Sequence, residues 1–364
     1  MTRLHNRNNI PAEGAASQRH CPVPRYSGRA VLFLWVVLLF PVLPQAVRAE
    51  VIIQAVGDIM LGGRWERAVA ADGYFHPFEK ITGELRAGDL TLANLEMPLT
   101  RRGNEFTGKK FRFRARPEAA FALKKAGINV VTLANNHIMD YGVAGLADTL
   151  AALQRAGIDH VGAGGDLATA CMPLITEIRG TRVAILGYSL TLPQEFWAGR
   201  NRLGTAPLLE RATKAHIGAA RRLADIVIVT VHWGEEGSSR LRPYQPRLAR
   251  MMIDAGADAV IGHHPHILQG VERYKRGIIF YSLGNFAFAH KSKIADRTLL
   301  VRLRFNGDQR SAELVPVNIR HADVGFQPTV LEGTLAEELL DRLRRLPPAN
   351  LAIRKNGERW TIDF

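Results

Sequence analysis

Ile226-Val-Ile-Val-Thr-Val-His-Trp-Gly234 is the most strand-like run in this chain of 364 residues. Its apolar and β-branched residues predict a buried strand that ends at His232. A helical pattern near 243–255 follows, and a second apolar run, Ala259-Val-Ile261, leads directly into Gly262-His-His-Pro-His266. Two buried strands joined by a helix predict a parallel βαβ unit, in which both strands deliver histidines to one edge of a sheet.

The alternation of strands and helices extends along most of the chain. Strand-like and helical runs alternate upstream, at 51–56, 90–95, 117–126, 130–133 and 145–156. Hairpins are predicted around Arg179-Gly180 and around Asn306-Gly307, where the turn residues separate two strand-like runs. Mixed βα units with hairpins predict an α/β domain over residues 50–325. Residues 326–364 are predicted to form a smaller helical and turn-rich extension packed on that domain.

Residues 1–49 have the composition of an export signal. A basic, polar lead precedes an apolar run at 30–43, and Val47-Arg-Ala49 offers a cleavage site. The run is short for a membrane span, which needs about 20 apolar residues, but the long lead leaves an uncleaved anchor, associated with the membrane through 30–43, as the alternative. Both alternatives place the rest of the chain outside the cytoplasm, as a periplasmic, secreted or envelope-anchored protein. Cys171 is the only cysteine after this segment, so no intramolecular disulfide is expected there.

Ligand-type side chains recur where the predicted strands end. Parallel strands bring their carboxyl ends to one edge, so residues far apart in sequence can converge there. The residues concerned are Asp58, Glu96, Asn135, Asn136, His137, His232, His263, His264 and His266. Carboxylate, amide and imidazole donors suit a divalent ion such as Zn²⁺, Mn²⁺ or Fe²⁺ better than Ca²⁺. The set is large enough for one ion, or for two ions roughly 3.5–4 Å apart that clamp both oxygens of a displacement.

The sequence leaves a structural alternative open for each of these residues. Asp58 and the Asn135-Asn136 pair can bond to the backbone in turns. Glu96 can be exposed to solvent, and His232 can be a packed core histidine beside Trp233. Metal binding is favoured because ligand types follow one strand after another, which independent turns would not produce.

The formal net charge of +14 includes six arginines and one glutamate in residues 1–49, and the remaining 42 basic and 33 acidic residues leave a charge of +9. A basic surface suits an anionic polymer, a phosphate-bearing substrate or an anionic lipid face. No recognisable nucleic-acid module accompanies this charge, so nucleic acid is not expected as a partner.

Six blocks of the sequence form an ordered set: Val56-Gly-Asp-Ile-Met-Leu61, Ala93-Asn-Leu-Glu96, Leu133-Ala-Asn-Asn-His-Ile-Met-Asp-Tyr-Gly142, Val231-His-Trp-Gly-Glu235, Gly262-His-His-Pro-His-Ile-Leu-Gln269 and Tyr281-Ser-Leu-Gly-Asn-Phe286. In this order they resemble the CapA/PgsA capsule-synthesis proteins, a family associated with bacterial poly-γ-glutamate synthesis within the calcineurin-like metallophosphoesterase superfamily. The resemblance implies a four-layer α/β/β/α sandwich of two mixed sheets.

The resemblance also implies a role for each site residue. A first ion would be bound by Asp58 and His266, with Glu96 in the place of the usual bridging aspartate. A second ion would be bound by Asn136, His232 and His264. His137 would be the acid that protonates the leaving group.

Two positions depart from the pattern of the superfamily. Met60 stands where the Asp-X-His block has its histidine, and a thioether is a poor ligand for ions of this kind. Glu96 is longer than the aspartate that it replaces and changes the geometry of the bridge. The first site is therefore expected to be weak, to be completed by Glu66 or water, or to hold no metal.

Three functions follow from the sequence, in order of preference. The first is an exported, metal-dependent hydrolase or transferase that acts on an envelope polymer or its phosphorylated precursor. The second is a non-catalytic accessory subunit of a polymer synthesis or export complex, which binds the polyanion or contacts membrane synthase subunits. The third, an extracytoplasmic phosphoesterase for small substrates, rests on fold analogy alone.

Overall fold

The computed structural model describes residues 49–364 apart from 64–65, 67–70, 72, 289–294 and 349–350. The predicted export signal or anchor at 1–49 lies outside these residues, except for Ala49. No helix among the described residues is long and apolar enough to cross a membrane.

Strands and helices follow one another in the order expected of βα units with hairpins. The described strands are β1 (Val51–Met60), β2 (Leu90–Leu95), β3 (Val130–Thr132), β4 (Asp159–Val161), β5 (Ala163–Gly164), β6 (Leu174–Ile178), β7 (Thr181–Ser189), β8 (Gly204–Thr205), β9 (Ile226–His232), β10 (Ala259–His263), β11 (Val271–Tyr274), β12 (Gly277–Phe280), β13 (Asn285–Phe288), β14 (Arg297–Asn306), β15 (Gln309–Asn318), β16 (Thr329–Val330), β17 (Arg354–Asn356) and β18 (Arg359–Asp363). The described helices are α1 (Thr82–Leu85), α2 (Ala119–Ala126), α3 (Gly142–Ala156), α4 (Leu167–Ala170), α5 (Glu210–Leu223), α6 (Tyr244–Asp254), α7 (His321–Val324) and α8 (Gly333–Arg345), with 3₁₀ turns at His76–Phe78 and Gln194–Phe196.

Two mixed sheets form the centre of the domain. The first has the order β17-β18-β15-β14-β1-β2-β3-β4, with β13 paired to β1 and β16 to β15. The second has the order β11-β12-β10-β9-β7-β6, and β5 pairs with β8 separately. Strands β1 to β4 run parallel to one another, as do β7, β9, β10 and β12. Each sheet therefore has an edge at which several strands present their carboxyl ends.

The two sheets pack face to face, and helices cover their outer faces. Between the sheets, Ile53 and Ile228 belong to one apolar cluster. Residues of α2 and α3 share a second cluster with the outer face of the first sheet, and residues of α5 and α6 share a third with the outer face of the second. Full burial of a large aliphatic side chain contributes about 1.5–3 kcal/mol, so these three clusters hold the layers together. The predicted four-layer α/β/β/α sandwich of two mixed sheets is confirmed.

Both predicted hairpins are present, and the first has the backbone expected of a two-residue hairpin turn. Arg179 and Gly180 have φ values of 50° and 75°, and they join β6 to β7 with Ile178 opposite Thr181. Two consecutive residues of positive φ match the right-handed twist of the flanking strands. The Asn306-Gly307 turn joins β14 to β15, with Asn306 opposite Gln309.

Residues 326–364 contain more strand than the sequence indicated. Helix α8 buries Leu339 and Leu343 against the cluster between the sheets. Strand β18 then pairs antiparallel with β15, with Trp360 opposite Leu314, and β17 pairs with β18. The sequence predicted a helical and turn-rich extension without β17 and β18. These strands are short, and they form because β15 offers a free edge to pair with, which the sequence does not show.

Candidate metal and catalytic site

The carboxyl ends of strands from both sheets meet around one cluster of polar side chains. Asp58 lies opposite Asn94 across β1 and β2, and His232 lies opposite His263 across β9 and β10. The loop after β10 then carries His264 and His266 in left-handed backbone, with φ values of 97° and 61°. Such conformations disfavour residues with a side chain, and they persist where the surroundings impose them and where a site needs them.

Asp58 is fully buried and bonded to several members of the cluster. Asn94 Nδ2 donates to its Oδ1 over 2.8 Å, and His263 Nδ1 lies 3.0 Å from the same oxygen. His266 Nδ1 lies 3.3 Å from Oδ2. Burial alone would raise the pKa of Asp58, but the hydrogen bonds and charges of His263 and His266 lower it well below the ordinary value. Asp58 is therefore a buried, ionised carboxylate that contacts two histidines of the cluster, and its role exceeds the turn role left open by the sequence.

Glu96 is also fully buried, so the solvent-exposed alternative is wrong for this residue. Its Oε2 accepts a hydrogen bond of 3.1 Å from Asn94 Nδ2. Its Oε1 has no hydrogen-bond partner among the described residues, and it lies 3.5 Å from His232 Nε2 and 3.8 Å from His266 Nε2. Burial, followed by the charge of Asp58, raises the pKa of Glu96 well above its ordinary value.

His266 interacts with the two buried carboxylates of the cluster. Burial would lower the pKa of His266, but the charges of Glu96 and Asp58 outweigh burial and raise it to about 10. Glu96 and His266 therefore both hold protons more tightly than usual. A divalent cation bound here would displace these protons.

His232 and His264 have the neutral form that a metal ligand needs. Burial, with the charge of His264 in addition, lowers the pKa of His232 well below its ordinary value. Burial lowers the pKa of His264 to about 4. Both imidazoles therefore keep a free nitrogen lone pair at neutral pH.

The two asparagines that follow β3 have different partners. Asn135 Nδ2 donates to Leu95 O over 2.8 Å, and Asn135 Oδ1 accepts from His137 N over 3.1 Å, so this side chain shapes the turn. Asn136 Oδ1 instead lies 2.9 Å from His232 Nε2, inside the cluster. The structure therefore brings Asn136 to the predicted site, whereas Asn135 supports the turn and also donates to Asn94 Oδ1 over 3.0 Å.

His137 is fixed through one of its two ring nitrogens. Its Nδ1 lies 2.6 Å from Asp140 Oδ2 and 3.0 Å from Lys109 Nζ, and the ring of Phe113 packs against it at 4.8 Å between centroids. Lys109 Nζ also donates to Asp140 Oδ1 over 2.7 Å and contacts Asn136 O. Burial lowers the pKa of His137, although the hydrogen bond and charge of Asp140 oppose this shift. With Nδ1 engaged, Nε2 is the nitrogen left for a reacting group.

The donors that converge here fit a divalent metal ion. Three groups have ligand atoms within 4.8 Å of one another, namely Glu96 with His232 and His264, Asp58 with Glu96 and His266, and Glu236 with His264 and His266. Glu96 Oε1 and His264 Nδ1 are buried and have no hydrogen-bond partner among the described residues. Leaving such an atom unpaired costs about 1–3 kcal/mol. A cation bound by both atoms would remove this cost, and mixed carboxylate and imidazole donors suit Zn²⁺, Mn²⁺ or Fe²⁺.

Met60 and Glu66 supply no donor to these groups. Met60 is buried in the apolar cluster on the outer face of the first sheet. The Glu66 carboxylate instead faces Arg116, whose Nε lies 3.9 Å from Glu66 Oε1. The suggestion that Glu66 completes the first site therefore finds no support in the structure.

Several residues of the site were missed by the sequence analysis. They are Asn94, Lys109, Asp140, Glu236 and Asn285, whose Oδ1 lies 2.9 Å from His266 Nδ1. Asn94 and Asp140 stand inside sequence blocks that were recognised, so their proximity to Glu96 and His137 was the available signal. Lys109 and Glu236 belong to loops, and no periodicity indicates where a loop side chain lies. The family resemblance implied roles for His264 and His266 but none for His263, whose Nδ1 contacts Asp58.

Comparisons with known proteins agree with the sequence blocks. Residues 52–290 match the family model described as bacterial capsule synthesis protein PGA_cap. Capsule biosynthesis protein CapA of Bacillus anthracis is 37% identical over 275 residues, which is 73% of this chain and 66%, just under two thirds, of that protein. PGA biosynthesis protein CapA of Bacillus subtilis (strain 168) is 36% identical over 271 residues, which is 73% of this chain and 71% of that protein.

Among solved structures, that of Haemophilus influenzae NAD nucleotidase (NadN) is similar with a TM-score of 0.48 and 14% identity, over 82% of this chain and 56% of that one. The sandwich architecture of this chain is assigned from the order of the strands in its two sheets and from the packing of its layers. Membership of the family is shown by the match over residues 52–290 and by the two Bacillus relatives, which are 37% and 36% identical to this chain. The chain therefore belongs to the bacterial capsule synthesis protein family PGA_cap.

Proposed function

We propose that this chain is an exported capsule or poly-γ-glutamate synthesis protein that acts as a metal-dependent hydrolase or transferase on an envelope polymer or its precursor. The observation that carries the proposal is the buried pair of unpartnered atoms, Glu96 Oε1 and His264 Nδ1, inside a converging set of carboxylates and imidazoles. The two Bacillus relatives are named as capsule or PGA biosynthesis proteins, which supports an envelope polymer or its precursor as the substrate.

The proposed ligands are the six residues implied by the family resemblance: Asp58, Glu96, Asn136, His232, His264 and His266. A bound divalent ion would act as a Lewis acid on a phosphoryl or carbonyl oxygen and would lower the pKa of water. The burial of most of these side chains keeps the local dielectric low, which strengthens every charge interaction in the site.

His137 is proposed as the acid of the reaction. Its Nε2 would give a proton to the oxygen or nitrogen that leaves. Asp140 accepts from Nδ1 and so holds the ring orientation, and its negative charge stabilises the imidazolium that must form. Lys109 donates to Asp140 and contacts the Asn136 carbonyl, so it ties the acid to the loop that carries a proposed ligand.

A basic segment beside His137 supports an anionic substrate. Residues 101–116 include seven lysines and arginines against one glutamate. Lys110 extends over the ring of Phe111 at 5.3 Å, and 61% of the surface of Phe111 is exposed. Five of the seven cations pair with carboxylates, whereas Lys110 and Arg114 have no carboxylate within 4.0 Å among the described residues. These two cations and an exposed aromatic ring suit a polyanion with apolar stretches between its charges.

Turnover by the purified full-length protein tests the proposal. The probes are an activated phosphodiester and a γ-glutamyl anilide, each with Mn²⁺. We expect His137→Ala to lose roughly 10²–10⁴-fold in turnover, the usual contribution of an acid or base, while it retains metal. His264→Ala should lose both metal and turnover, and His160→Ala, on the outer strand β4, should lose neither.

The accessory role remains the second candidate, and Met60 is the observation that favours it. Its place in the apolar core leaves the first ion site with one donor fewer than the pattern of the superfamily. A metal-loaded wild-type protein that turns over neither probe, together with His137→Ala cells that still make polymer, would favour the accessory role over catalysis.

A further inference from the structure

The loop after β9 brings an additional carboxylate to the histidine cluster. Gly234 and Gly237 have φ values of 94° and 71°, which let the chain reverse within a few residues. Gly237 N donates to Pro265 O over 2.9 Å, and Gly234 N donates to the Tyr244 hydroxyl over 3.0 Å. The loop is thus tied to the residue that separates His264 from His266.

Glu236 is the residue of this loop that reaches the cluster. Its carboxylate and the ring nitrogens of His264 and His266 lie within 4.8 Å of one another. The preceding Glu235 is engaged elsewhere, with Arg242 Nη2 2.8 Å from its Oε1. Two adjacent glutamates therefore have different partners, and only Glu236 belongs to a candidate metal group among the described residues.

The histidine that Glu236 approaches has an unused donor atom. His264 is 8% exposed, and its Nδ1 has no hydrogen-bond partner among the described residues. Its backbone is held at a φ of 97°, which a histidine adopts rarely. The cluster is also one donor short, because Met60 stands where a histidine is expected and packs into the apolar core.

We propose that Glu236 is a metal ligand, which binds an ion together with His264 and His266 on the open side of the cluster. This inference rests on the proposed function, because it presupposes that the cluster binds a divalent ion. Glu236 is exposed, whereas Asp58, Glu96 and His232 are fully buried. It would therefore close the coordination from the solvent side, and the buried ligands would hold the ion from within.

A matched pair of variants tests this assignment by metal binding, without any substrate. Mn²⁺ and Zn²⁺ are titrated calorimetrically into the metal-free full-length protein, the wild type beside Glu236→Gln, Glu236→Asp and Glu235→Gln. Mutation of an outer partner of a ligand already costs about 10–100-fold in affinity. We therefore expect at least about tenfold weaker binding for Glu236→Gln, an intermediate loss for Glu236→Asp, and the wild-type affinity for Glu235→Gln.

The outcomes separate this inference from the proposed function. Wild-type affinity in Glu236→Gln would overturn the inference and leave the metal site intact. A wild-type protein that binds neither ion would overturn both. The thermal unfolding of the metal-free variants serves as the folding control, and an exposed glutamate should change it little.

Discussion

At the scale of single residues, Asp140 fixes the proposed acid. It is fully buried and accepts from Lys109 Nζ, from the backbone N of Phe113 and from His137 Nδ1. The ammonium of Lys109 has three N–H groups, and two of them donate to Asp140 and to the Asn136 carbonyl. The third faces His137 or the ring of Phe196, so no N–H group is left for a substrate. Lys109 is therefore a positioning residue rather than a binding residue for substrate.

Removing the ammonium of Lys109 should impair turnover by loosening His137. We expect Lys109→Met to lower the turnover of the activated phosphodiester about tenfold or more, in line with losses for outer partners of a site. Lys214→Met is the matched control, because it removes the same charge from an exposed position on α5 and should remain within about twofold of wild type. Nitrogen NMR of the His137 ring should show one tautomer in wild type and a mixture in Lys109→Met. Equal spectra and equal rates in the two variants would contradict the positioning role.

The site residues were predictable from sequence only where they follow strands. Asp58, Glu96, His232 and His264 converge because the sheet registers bring strand ends together, and the strands were visible as apolar runs. The partners of these residues were less visible. Whether His263, His264 or His266 faces a given atom depends on the left-handed backbone of this loop, and an extended loop would orient these rings differently.

At the scale of elements, the close approach of β10 to the residues that follow its two neighbouring strands, β9 and β12, fixes the position of the histidines. A Cβ atom added to Gly262 would lie 2.0 Å from Tyr281 O and 2.8 Å from Trp233 Nε1. The carbonyl belongs to the backbone and cannot rotate away. Gly262 is therefore required so that β10 can reach its position between β9 and β12.

Gly262→Ala should be strongly destabilising. Overpacking a core usually costs about 1–3 kcal/mol, and the backbone contact places this substitution at or above the top of that range. Gly83→Ala in α1 is the control, because a Cβ atom there meets nothing within 4 Å, and it should be neutral or slightly stabilising. Urea unfolding measures both, and equal midpoints for the two variants would show that the strand tolerates a side chain.

A buried network of charges joins β14 and β15 to β1 and α1. Arg302 Nη1 donates to Glu313 Oε1 over 2.8 Å, and Arg304 Nη2 donates to Glu313 Oε2 over 2.7 Å. Arg302 also donates to Gln54 of β1 over 3.3 Å and contacts Glu84 of α1. Burial would raise the pKa of Glu313, but the hydrogen bond from Arg304 and the charges of both arginines outweigh it and lower the pKa.

Glu313→Gln should destabilise the protein in a pH-dependent way. Hydrogen bonds to charged groups contribute about 1.5–3 kcal/mol, so we expect a loss of about 2 kcal/mol at neutral pH. The pKa of Glu313 is lower in the folded than in the unfolded chain, so its stabilisation is complete above the unfolded value of about 4.3 and is lost as the pH falls through the folded value. Unfolding of both proteins at neutral and acidic pH measures the difference, which should shrink in acid. A difference that is constant with pH would contradict the ion pairs.

At the scale of the whole molecule, the sandwich places the cluster beside the basic segment 101–116. This segment contains Lys109 and Phe113, which contact His137 and Asp140. A polyanion attracted to the segment would therefore be held next to the proposed acid. Charge in this region should affect the binding of polymer more than charge on the helices of the opposite layer.

Reversal of one charge in the segment should weaken the binding of poly-γ-glutamate. An exposed ion pair contributes up to about 1 kcal/mol, so Lys110→Glu should lose about fivefold in affinity at low salt, and less at high salt. Lys214→Glu on α5 changes the same charge on the far layer and should bind as wild type does. Fluorescence anisotropy of labelled polymer measures both, and equal affinities would remove the segment from the binding surface.

The sandwich itself was largely predictable, because alternating strands, helices and turn residues define βα units and hairpins. The order of the strands in each sheet was not derivable from the residues alone, since it depends on which edges are free after the central strands have paired. The strands β17 and β18 show this, because β15 provides the edge that they extend.

The central claim is that the converging carboxylates and imidazoles bind a divalent ion, and anomalous diffraction from crystals soaked in Mn²⁺ tests it most directly. We predict an anomalous peak within about 2.0–2.3 Å of Glu96 Oε1 and a ring nitrogen of His264, the usual range for such ligands. A second peak near Asp58 and His266 would indicate a two-ion site. No peak between Glu96 and His264, in crystals that diffract well after the soak, would contradict the claim.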